Sequence, residues 1–281
     1  MNILVPAIII LFLLPAFYVG YKTYRTFFRR PTSYPTSAYI ARMRQSHPAA
    51  ACLVCLGDSI TQGDLGVSYV NILEKRTSPE TLVIMNAGIN GDLSANALAR
   101  LDDVIAAQPA LITVLIGSND IHAGMNTRNY KTYVSSGKIT QPPSFADFKA
   151  NITEILRRLQ AETHARIALV SIPLISEDLD HEVNKRGDMY NDYLRETAER
   201  LKINYLPLRE TQVAYLKTTG KKGGQPYENT ARLSMSAVFW SFLGLSWDSI
   251  AERNGNQLSV DNLHNNSRTA GMIADLISGF I

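Results

Sequence analysis

The sequence predicts an α/β protein in which five parallel strands form one sheet and helices cover both of its faces. Five short runs rich in Val, Ile and Leu recur along the chain, and stretches with helical spacing lie between them. The chain has 281 residues, of which 46% are hydrophobic and 19% charged, so it can bury a sizeable core and lacks the bias of a disordered protein. Together these observations predict a three-layer α/β/α sandwich.

Strands are expected where apolar residues follow one another without strict alternation, which is typical of strands covered on both faces. Runs of this kind span residues 52–56, 82–86, 111–116, 167–172 and 203–206. Two segments, residues 123–144 and 218–259, interrupt the alternation of strands and helices. In parallel sheets such segments gather beyond the carboxyl ends of the strands, where ligands bind.

Helices are expected where apolar side chains recur at i, i+3 and i+4. The groups with this spacing are Tyr69, Ile72 and Leu73; Leu98, Leu101, Val104 and Ile105; Phe148, Ile152, Ile155, Leu156 and Leu159; Tyr190, Tyr193, Leu194 and Leu201; and Met272, Ile273, Leu276 and Ile277. One group follows each predicted strand. This alternation indicates a flavodoxin-like sheet of five parallel strands.

The N-terminal segment has the composition of a membrane helix. Residues 3–19 form a stretch of 17 residues without a charged side chain, which as a helix spans roughly 25 Å, at the short end for a membrane span. No charged side chain precedes it and no clean small-x-small cleavage site follows it, which favours an uncleaved anchor over a secretory signal. We therefore expect an anchor (or signal) in residues 1–21, a basic, Pro-containing linker in 22–48 and one domain in 49–281.

The basic residues after this apolar stretch predict its orientation. They are Lys22, Arg25, Arg29 and Arg30. The positive-inside rule then places the globular domain in the cytoplasm. If the segment is an export signal instead, the domain is periplasmic or secreted.

Charge and cysteine content exclude several classes of function. The formal net charge is +3, and six of the 28 basic residues precede residue 50, so the rest of the chain has no excess of positive charge for a nucleic-acid surface. Cys52 and Cys55 are three positions apart in a predicted strand, so they should point to opposite faces as a buried, structural pair. They provide neither a disulfide framework nor a zinc site, and we expect no metal or organic cofactor.

Four polar motifs stand at positions suited to catalysis. Three follow predicted strands and the fourth precedes the last predicted helix: Gly57-Asp-Ser59, Gly91-Asp-Leu-Ser94, Gly117-Ser-Asn-Asp120 and Asp261-Asn-Leu-His264. Each motif alone is a weak signal. Together they offer a serine nucleophile, donors for an oxyanion and an imidazole with a carboxylate to orient it.

In combination and in order, these motifs resemble those of the SGNH (GDSL-type) hydrolase family, over roughly residues 50–281. The resemblance implies that Ser59 is the nucleophile, His264 its general base and Asp261 the residue that orients His264. It also implies an oxyanion hole made of the backbone N–H groups of Ser59 and Gly91 and the side-chain amide of Asn119. The implied fold is that of an SGNH hydrolase, and the implied reaction is cleavage of a carboxylic ester through an acyl-enzyme, by an esterase, a lipase-like enzyme or an O-deacetylase.

Two other functions stay open at this point. An O-acyltransferase would use the same acyl-enzyme and pass it to an alcohol other than water. A catalytically idle, membrane-tethered binding domain would keep the fold without the reaction. The substrate is expected to be a small-molecule or lipid ester, and the sequence leaves the oligomeric state open.

An apolar stretch precedes the Asp–His motif and supplies candidates for substrate binding. These are Trp240, Phe242 and Trp247. The stretch is interpreted either as an acyl-binding lid or membrane-contacting segment, or as a segment packed against the core.

The other polar residues near the motifs are expected to be structural. Asp58 is expected to stabilise a turn and Asp120 to cap a helix or loop. His122 is expected at the surface, although its position would also allow it to face the cleft. The remaining histidines, expected to be solvated, are His47, His164 and His181.

Overall fold

A single parallel sheet forms the centre of the computed structural model, which describes residues 17–24, 26, 29–220 and 224–281. Its strands are β1 (Ala51–Gly57), β2 (Leu82–Gly88), β3 (Leu111–Leu115), β4 (Arg166–Val170) and β5 (Asn204–Leu206). Their order is β2-β1-β3-β4-β5, and every adjacent pair is parallel. The predicted α/β class and five-stranded sheet are confirmed.

Helices connect the strands and pack on both faces of the sheet. They are α1 (Ser37–Ser46), α2 (Ser59–Gln62), α3 (Tyr69–Arg76), α4 (Ser94–Ala99), α5 (Leu101–Ala106), α6 (Ser118–Gly124), α7 (Thr127–Ser135), α8 (Phe145–Glu162), α9 (Glu182–Leu201), α10 (Leu208–Thr219), α11 (Thr230–Phe242), α12 (Trp247–Arg253) and α13 (Ser267–Phe280). A 3-10 turn, Tyr227–Asn229, precedes α11. Residues 17–24 are also helical.

Helix α8 shows how local sequence sets these elements. Ser144 accepts a hydrogen bond from the backbone N–H of Asp147, whose carboxylate accepts one from the N–H of Ser144, so the two residues form a capping box. The buried face of α8 consists of the five residues whose spacing predicts the helix, Phe148, Ile152, Ile155, Leu156 and Leu159.

Strand β1 divides the core into two layers. Val54 and Leu56 belong to the cluster on one face of the sheet, whereas Leu53 and Cys55 belong to the cluster on the other. Cys52 packs against the first cluster, so the two thiols do point to opposite faces, and both are free. Burial raises the pKa of Cys52 to about 12 and that of Cys55 to about 11, which favours the protonated form of both thiols at neutral pH.

The region preceding the sheet takes part in the core. Within residues 22–48, α1 is capped by Thr36, and the side chains of Tyr34 and Ile40 are buried in the first cluster. The division into anchor, linker and domain stays a prediction, and residues 1–16 of the expected anchor lie outside the described residues. Among the described residues, no helix combines the length and the apolar character needed to cross a bilayer.

The strand order determines where polar loops meet. From β1 the chain first moves to β2 on one side and then returns to β3 on the other, so the sheet has a topological switch point beside β1. Gly57 at the end of β1 is paired with Gly88 of β2 and Leu115 of β3, so the three strands end at the same level. Ligand sites of open parallel sheets form at such a point.

Candidate active site

Ser59 and His264 meet at this edge of the sheet although 205 residues separate them in sequence. Ser59 is the first residue of α2, directly after β1, and its Oγ lies 3.0 Å from Nε2 of His264. Nδ1 of the same ring lies 2.8 Å from Oδ2 of Asp261. In this arrangement the imidazole can take the serine proton while the carboxylate stabilises the resulting imidazolium.

The carboxylate of Asp261 is held in place by the loop that it begins. Its Oδ1 accepts hydrogen bonds from the backbone N–H groups of Leu263, at 3.1 Å, and His264, at 2.8 Å. Its Oδ2 also accepts a bond from the hydroxyl of Ser234 on α11. Both oxygens are therefore fixed, and only one orientation of the His264 ring satisfies Asp261.

Burial and charge act in opposite directions on this pair. Burial alone would lower the pKa of His264, but the charge of Asp261 and its hydrogen bond raise that pKa above its ordinary value. Burial alone would raise the pKa of Asp261, but His264 and the hydrogen bond from Ser234 lower it below its ordinary value. The pair is thus set for a charged carboxylate beside a ring that gains a proton readily.

Gly91 and Asn119 line the same cleft as Ser59 and His264, in a cavity of about 790 Å³. Gly91 has a φ of +74°, a conformation that favours glycine and that turns the chain after β2. The Nδ2 group of Asn119 donates one hydrogen bond, 2.8 Å long, to the carbonyl of Asp92, which leaves its second N–H for the cleft. The structure therefore brings together all five residues of the predicted machinery.

Two salt bridges hold the loop after β2 against the rest of the site. Asp92 pairs with Nε of Arg100 at 2.7 Å and with Nζ of Lys138 at 2.6 Å. Arg100 also donates a hydrogen bond to the carbonyl of Gly57, 2.8 Å away, so it joins the ends of β1 and β2. Asp92 belongs to a predicted motif, but its partners and this role were not predicted from the sequence.

Asp58 and Asp120 are structural, as predicted. Asp58 caps α2 by accepting a hydrogen bond from the N–H of Ile60, and Asp120 accepts bonds from the N–H and hydroxyl of Ser94 at the start of α4. Burial raises the pKa of Asp58 to about 7 and that of Asp120 to about 6.

The prediction of a surface position for His122 is wrong. Its Nδ1 lies 2.8 Å from the hydroxyl of Tyr227, and its ring makes edge contacts with Tyr227 and Tyr133. Burial lowers the pKa of His122 to about 4, so the ring is neutral at pH 7.

The other three histidines differ in their exposure. The side chains of His47 and His181 are 19% and 21% exposed and pair with Glu80 and Glu228, so they are partly buried and not fully solvated as predicted. His164 is exposed as expected.

The predicted substrate-binding aromatics lie outside the lining of this cleft. Trp240 and Trp247 pack against a separate apolar cluster of Ala237, Ile250 and Val260. The carbonyl of Phe242 accepts a hydrogen bond from Tyr18. A role of these aromatics in substrate binding stays a prediction. Within the part of the chain that the structure describes, no group of three or more His, Cys, Asp or Glu side chains could hold a metal ion.

A serine, an imidazole and a carboxylate in hydrogen-bonded series, at the switch point of a parallel sheet, define the class of α/β hydrolytic enzymes. Comparison with known proteins narrows this class. Residues 55–229 match the GDSL-like Lipase/Acylhydrolase family, and the chain belongs to that family. The match includes Ser59, Gly91 and Asn119, whereas Asp261 and His264 lie beyond it and join the site through the fold.

Individual proteins agree with this assignment. Esterase TesA of Pseudomonas aeruginosa is 40% identical over 83 residues, which is 27% of this chain and 41% of that esterase, so the similarity spans less than half of the relative. Among solved structures, the acetyl xylan esterase AlAXEase matches with a TM-score of 0.58 at 19% identity. The match covers 82% of this chain and 99% of the AlAXEase chain. The acetylxylan esterase Axe2 of Geobacillus stearothermophilus matches with a TM-score of 0.54 at 18% identity. The match covers 82% of this chain and 94% of the Axe2 chain. At these identities the structural matches show a shared fold.

Proposed function

We propose that the protein is a serine esterase that cleaves carboxylic esters through an acyl-enzyme on Ser59. The observation that carries this proposal is the unbroken series of hydrogen bonds from Ser59 through His264 to Asp261. Family membership supports the reaction class, and this geometry supports the role of each residue.

The reaction proceeds in two halves. In the first, His264 takes the hydroxyl proton as Ser59 Oγ bonds to the ester carbonyl carbon, and the carbonyl oxygen becomes an oxyanion. When this intermediate collapses, the carbon–oxygen bond to the alcohol breaks and His264 gives its proton to the departing alkoxide. In the second, a water molecule attacks the acyl carbon and loses its proton to His264. The bond from that carbon to Ser59 Oγ then breaks, His264 returns the proton to Oγ, and the acid leaves.

The oxyanion is stabilised by donors that are in place before the reaction. These are the backbone N–H groups of Ser59 and Gly91 and the free N–H of the Asn119 amide. Losing one such donor typically lowers kcat about 10²–10³-fold. The carboxylate of Asp261 stabilises the imidazolium that His264 forms in each half.

The cleft supports a small-molecule or lipid ester as substrate. Its volume of about 790 Å³ lies within the range of roughly 300–1,000 Å³ that is usual for small-molecule sites. An O-acetyl ester of a sugar is a further candidate, because the fold is shared with proteins named acetyl xylan esterases.

The activity is tested with a fluorophosphonate probe and p-nitrophenyl esters of increasing chain length. We expect labelling and hydrolysis by the wild type and by Ser278→Ala, which removes an exposed serine on α13, and neither by Ser59→Ala. Absence of labelling in the wild type would favour the idle binding domain. Suppression of hydrolysis by excess alcohol, with formation of a new ester, would favour the O-acyltransferase.

The proposed location is a membrane, with residues 1–21 as an anchor and the catalytic domain on the cytoplasmic side. The support is the uncharged stretch at residues 3–19 and the basic residues that follow it. The protein should remain in the membrane fraction after carbonate extraction. Protease should digest its catalytic domain only after spheroplasts are lysed. Release into the periplasm or the medium after cleavage would identify an export signal.

A further inference from the structure

Helix α11 exposes a row of large apolar side chains. Met235, Phe239 and Leu243 are spaced four residues apart, so they lie on one face of the helix and just past its end, and their exposed fractions are 76%, 57% and 60%. The opposite face of α11 is buried through Leu233 and Ala237. The helix is therefore docked on the domain by one face while it presents a second apolar face to its surroundings.

The helical residues 17–24 extend this row. The hydroxyl of Tyr18 donates a hydrogen bond, 3.4 Å long, to the carbonyl of Phe242, so the two elements are in contact at this point. Phe17 is 74% exposed, and Tyr18 and Tyr21 are also exposed. We call the six residues Phe17, Tyr18, Tyr21, Met235, Phe239 and Leu243 the apolar face. An exposed patch of this kind marks an interaction site.

The chain itself indicates what covers the apolar face. The patch begins where the uncharged stretch of residues 3–19 ends, and that stretch has the length and composition of a membrane helix. Tyrosines are enriched at the boundary between lipid and water, and basic residues follow at Lys22, Arg29 and Arg30. These features together favour a lipid bilayer over a second protein.

We propose that the apolar face of α11 and residues 17–24 lies in the interfacial region of the bilayer that holds the N-terminal segment. Lipid headgroups then surround Lys22 and Arg30, while Phe239 and Leu243 reach the acyl-chain boundary. In this arrangement the catalytic domain contacts the membrane directly and has one orientation relative to it, which a flexible linker alone would not give.

This orientation brings the catalytic cleft to the lipid surface. Thr23, Arg29 and Arg30 line the cleft that contains Ser59. Two residues of this region are bound to the site: Asn90 Nδ2 donates a hydrogen bond to the carbonyl of Thr26, at 2.6 Å, and Gln62 Nε2 donates one to the carbonyl of Arg29, at 3.1 Å. Thr23, Arg29 and Arg30 therefore form part of the cleft wall, close in sequence to Tyr18 and Tyr21 of the apolar face.

The substrate class that follows is an ester presented by the bilayer, a lipid ester rather than a freely dissolved one. This step alone rests on the proposed esterase function. The docking itself rests on the exposed side chains and on their continuity with the N-terminal segment, so the two can be tested separately.

Docking is tested by attaching a nitrobenzoxadiazole fluorophore to Phe239→Cys in the full chain, reconstituted into vesicles of phosphatidylcholine and phosphatidylglycerol. Cys55 is buried and Cys52 is partly buried, and the wild-type chain treated with the same reagent measures the label that these two native thiols take up. The matched control is Met189→Cys, which replaces a 44% exposed methionine on α9.

We expect the emission of the label at position 239 to shift to shorter wavelength, and lipids with a doxyl group high on the acyl chain to quench it. The label at position 189 should show neither effect. Equal behaviour at the two positions overturns the docking. A shift to shorter wavelength at position 239 without quenching by doxyl lipids also overturns the docking. In that case residues 1–16 or a second copy of the chain would cover the apolar face.

The substrate class is tested with Met235→Ser/Phe239→Ser in the same vesicles. Fluorophosphonate labelling of Ser59 should be unchanged, while hydrolysis of a bilayer-embedded ester falls several-fold relative to a water-soluble p-nitrophenyl ester. An equal effect on both esters contradicts the lipid assignment. Failure of the wild type to react with the probe contradicts the esterase function and leaves the fluorescence result intact.

Discussion

The hydroxyl of Tyr133 donates a hydrogen bond, 2.6 Å long, to the side-chain carbonyl of Asn119. Both residues are buried, and the amide of Asn119 is fixed at its other end by the carbonyl of Asp92. A free amide can rotate and exchange the positions of its oxygen and nitrogen. Tyr133 therefore holds the side-chain oxygen of Asn119 and leaves one N–H of the amide for the cleft, where the proposed mechanism forms the oxyanion.

Tyr133→Phe tests this positioning role. The variant keeps the ring and its packing but frees the Asn119 carbonyl, so the donor is held less firmly in the transition state. We expect kcat to fall by roughly 10-fold, less than the 10²–10³-fold expected for Asn119→Ala, with little change in KM. Steady-state kinetics on a soluble ester measure both parameters.

The control is Tyr130→Phe on the same helix, because the hydroxyl of Tyr130 bonds to the carbonyl of Thr140 and not to the site. A rise in KM at constant kcat, or an equal loss in both variants, would show that Tyr133 acts on general structure or on substrate binding.

In the proposed mechanism, the carboxylate of Asp261 controls the pH dependence of the reaction. The rate should rise with pH as His264 loses its proton and becomes a base, and Asp261 raises the pKa of that ring. In Asp261→Asn the charge is gone while burial, which lowers the pKa, stays. The acidic limb of kcat/KM should therefore move to lower pH, and kcat should fall by roughly 10³–10⁴-fold, because an amide supports the wrong tautomer.

A pH–rate profile from pH 5 to 9 checks both effects, with Asp275→Asn as the control. Asp275 pairs with Arg76 at the surface, so Asp275→Asn also removes one negative charge, but at a site that makes no contact with the ring. An acidic limb that stays in place, or moves to higher pH, in Asp261→Asn would contradict the assignment.

The sequence predicts three of the candidate catalytic residues because they lie beside strand ends. The strands are visible as apolar runs, and Ser59, Gly91 and Asn119 follow them within a few positions, so the sheet itself brings these residues together. The position of the Asp–His motif at the sheet edge is predicted only from the resemblance to the family, because no predicted strand leads into this motif.

The supporting residues could not be predicted, because their partners are set by tertiary packing. Tyr133 lies in residues 123–144, and the polar composition of this segment does not predict the helix α7. His122 has the local sequence of a surface residue, and its burial depends on Tyr227, which is 105 positions away. Lys138 is 46 positions from Asp92, with no pattern that connects them.

The two salt bridges of Asp92 should contribute unequally to stability. The side chain of Arg100 is only 10% exposed, so Asp92→Ala leaves a buried charge without its partner and should cost about 3–5 kcal/mol. Lys138 is 24% exposed and can be hydrated, so Lys138→Ala, which keeps the pair of Asp92 with Arg100, should cost less than about 1 kcal/mol.

Chemical denaturation of the full chain in detergent measures the free energies of unfolding of these two variants. Similar losses in both would mean that burial of the Arg100 guanidinium does not set the strength of this cluster.

Glu177 holds the loop that carries Asp261 and His264. Its carboxylate accepts hydrogen bonds from three successive backbone N–H groups, those of Gln257 at 2.8 Å, Leu258 at 2.7 Å and Ser259 at 3.3 Å. The second carboxylate oxygen also accepts from the N–H of Gln257, at 2.9 Å, and in Glu177→Gln an NH2 donor takes its place while the negative charge is lost, so this variant should release part of the contact. We expect a loss of about 1–3 kcal/mol in the free energy of unfolding.

Glu177→Gln should also have a local effect on the loop that carries Asp261 and His264, in addition to its effect on the free energy of unfolding. With the loop loosened, the backbone N–H of Leu258 should exchange its hydrogen faster, and kcat should fall because His264 spends less time within reach of Ser59. Hydrogen exchange followed by mass spectrometry, together with kinetics, measures both. Glu182→Gln removes an exposed carboxylate at the start of α9 and should change neither. Unchanged exchange at Leu258 in a destabilised Glu177→Gln would mean that Glu177 stabilises the domain without fixing the catalytic loop.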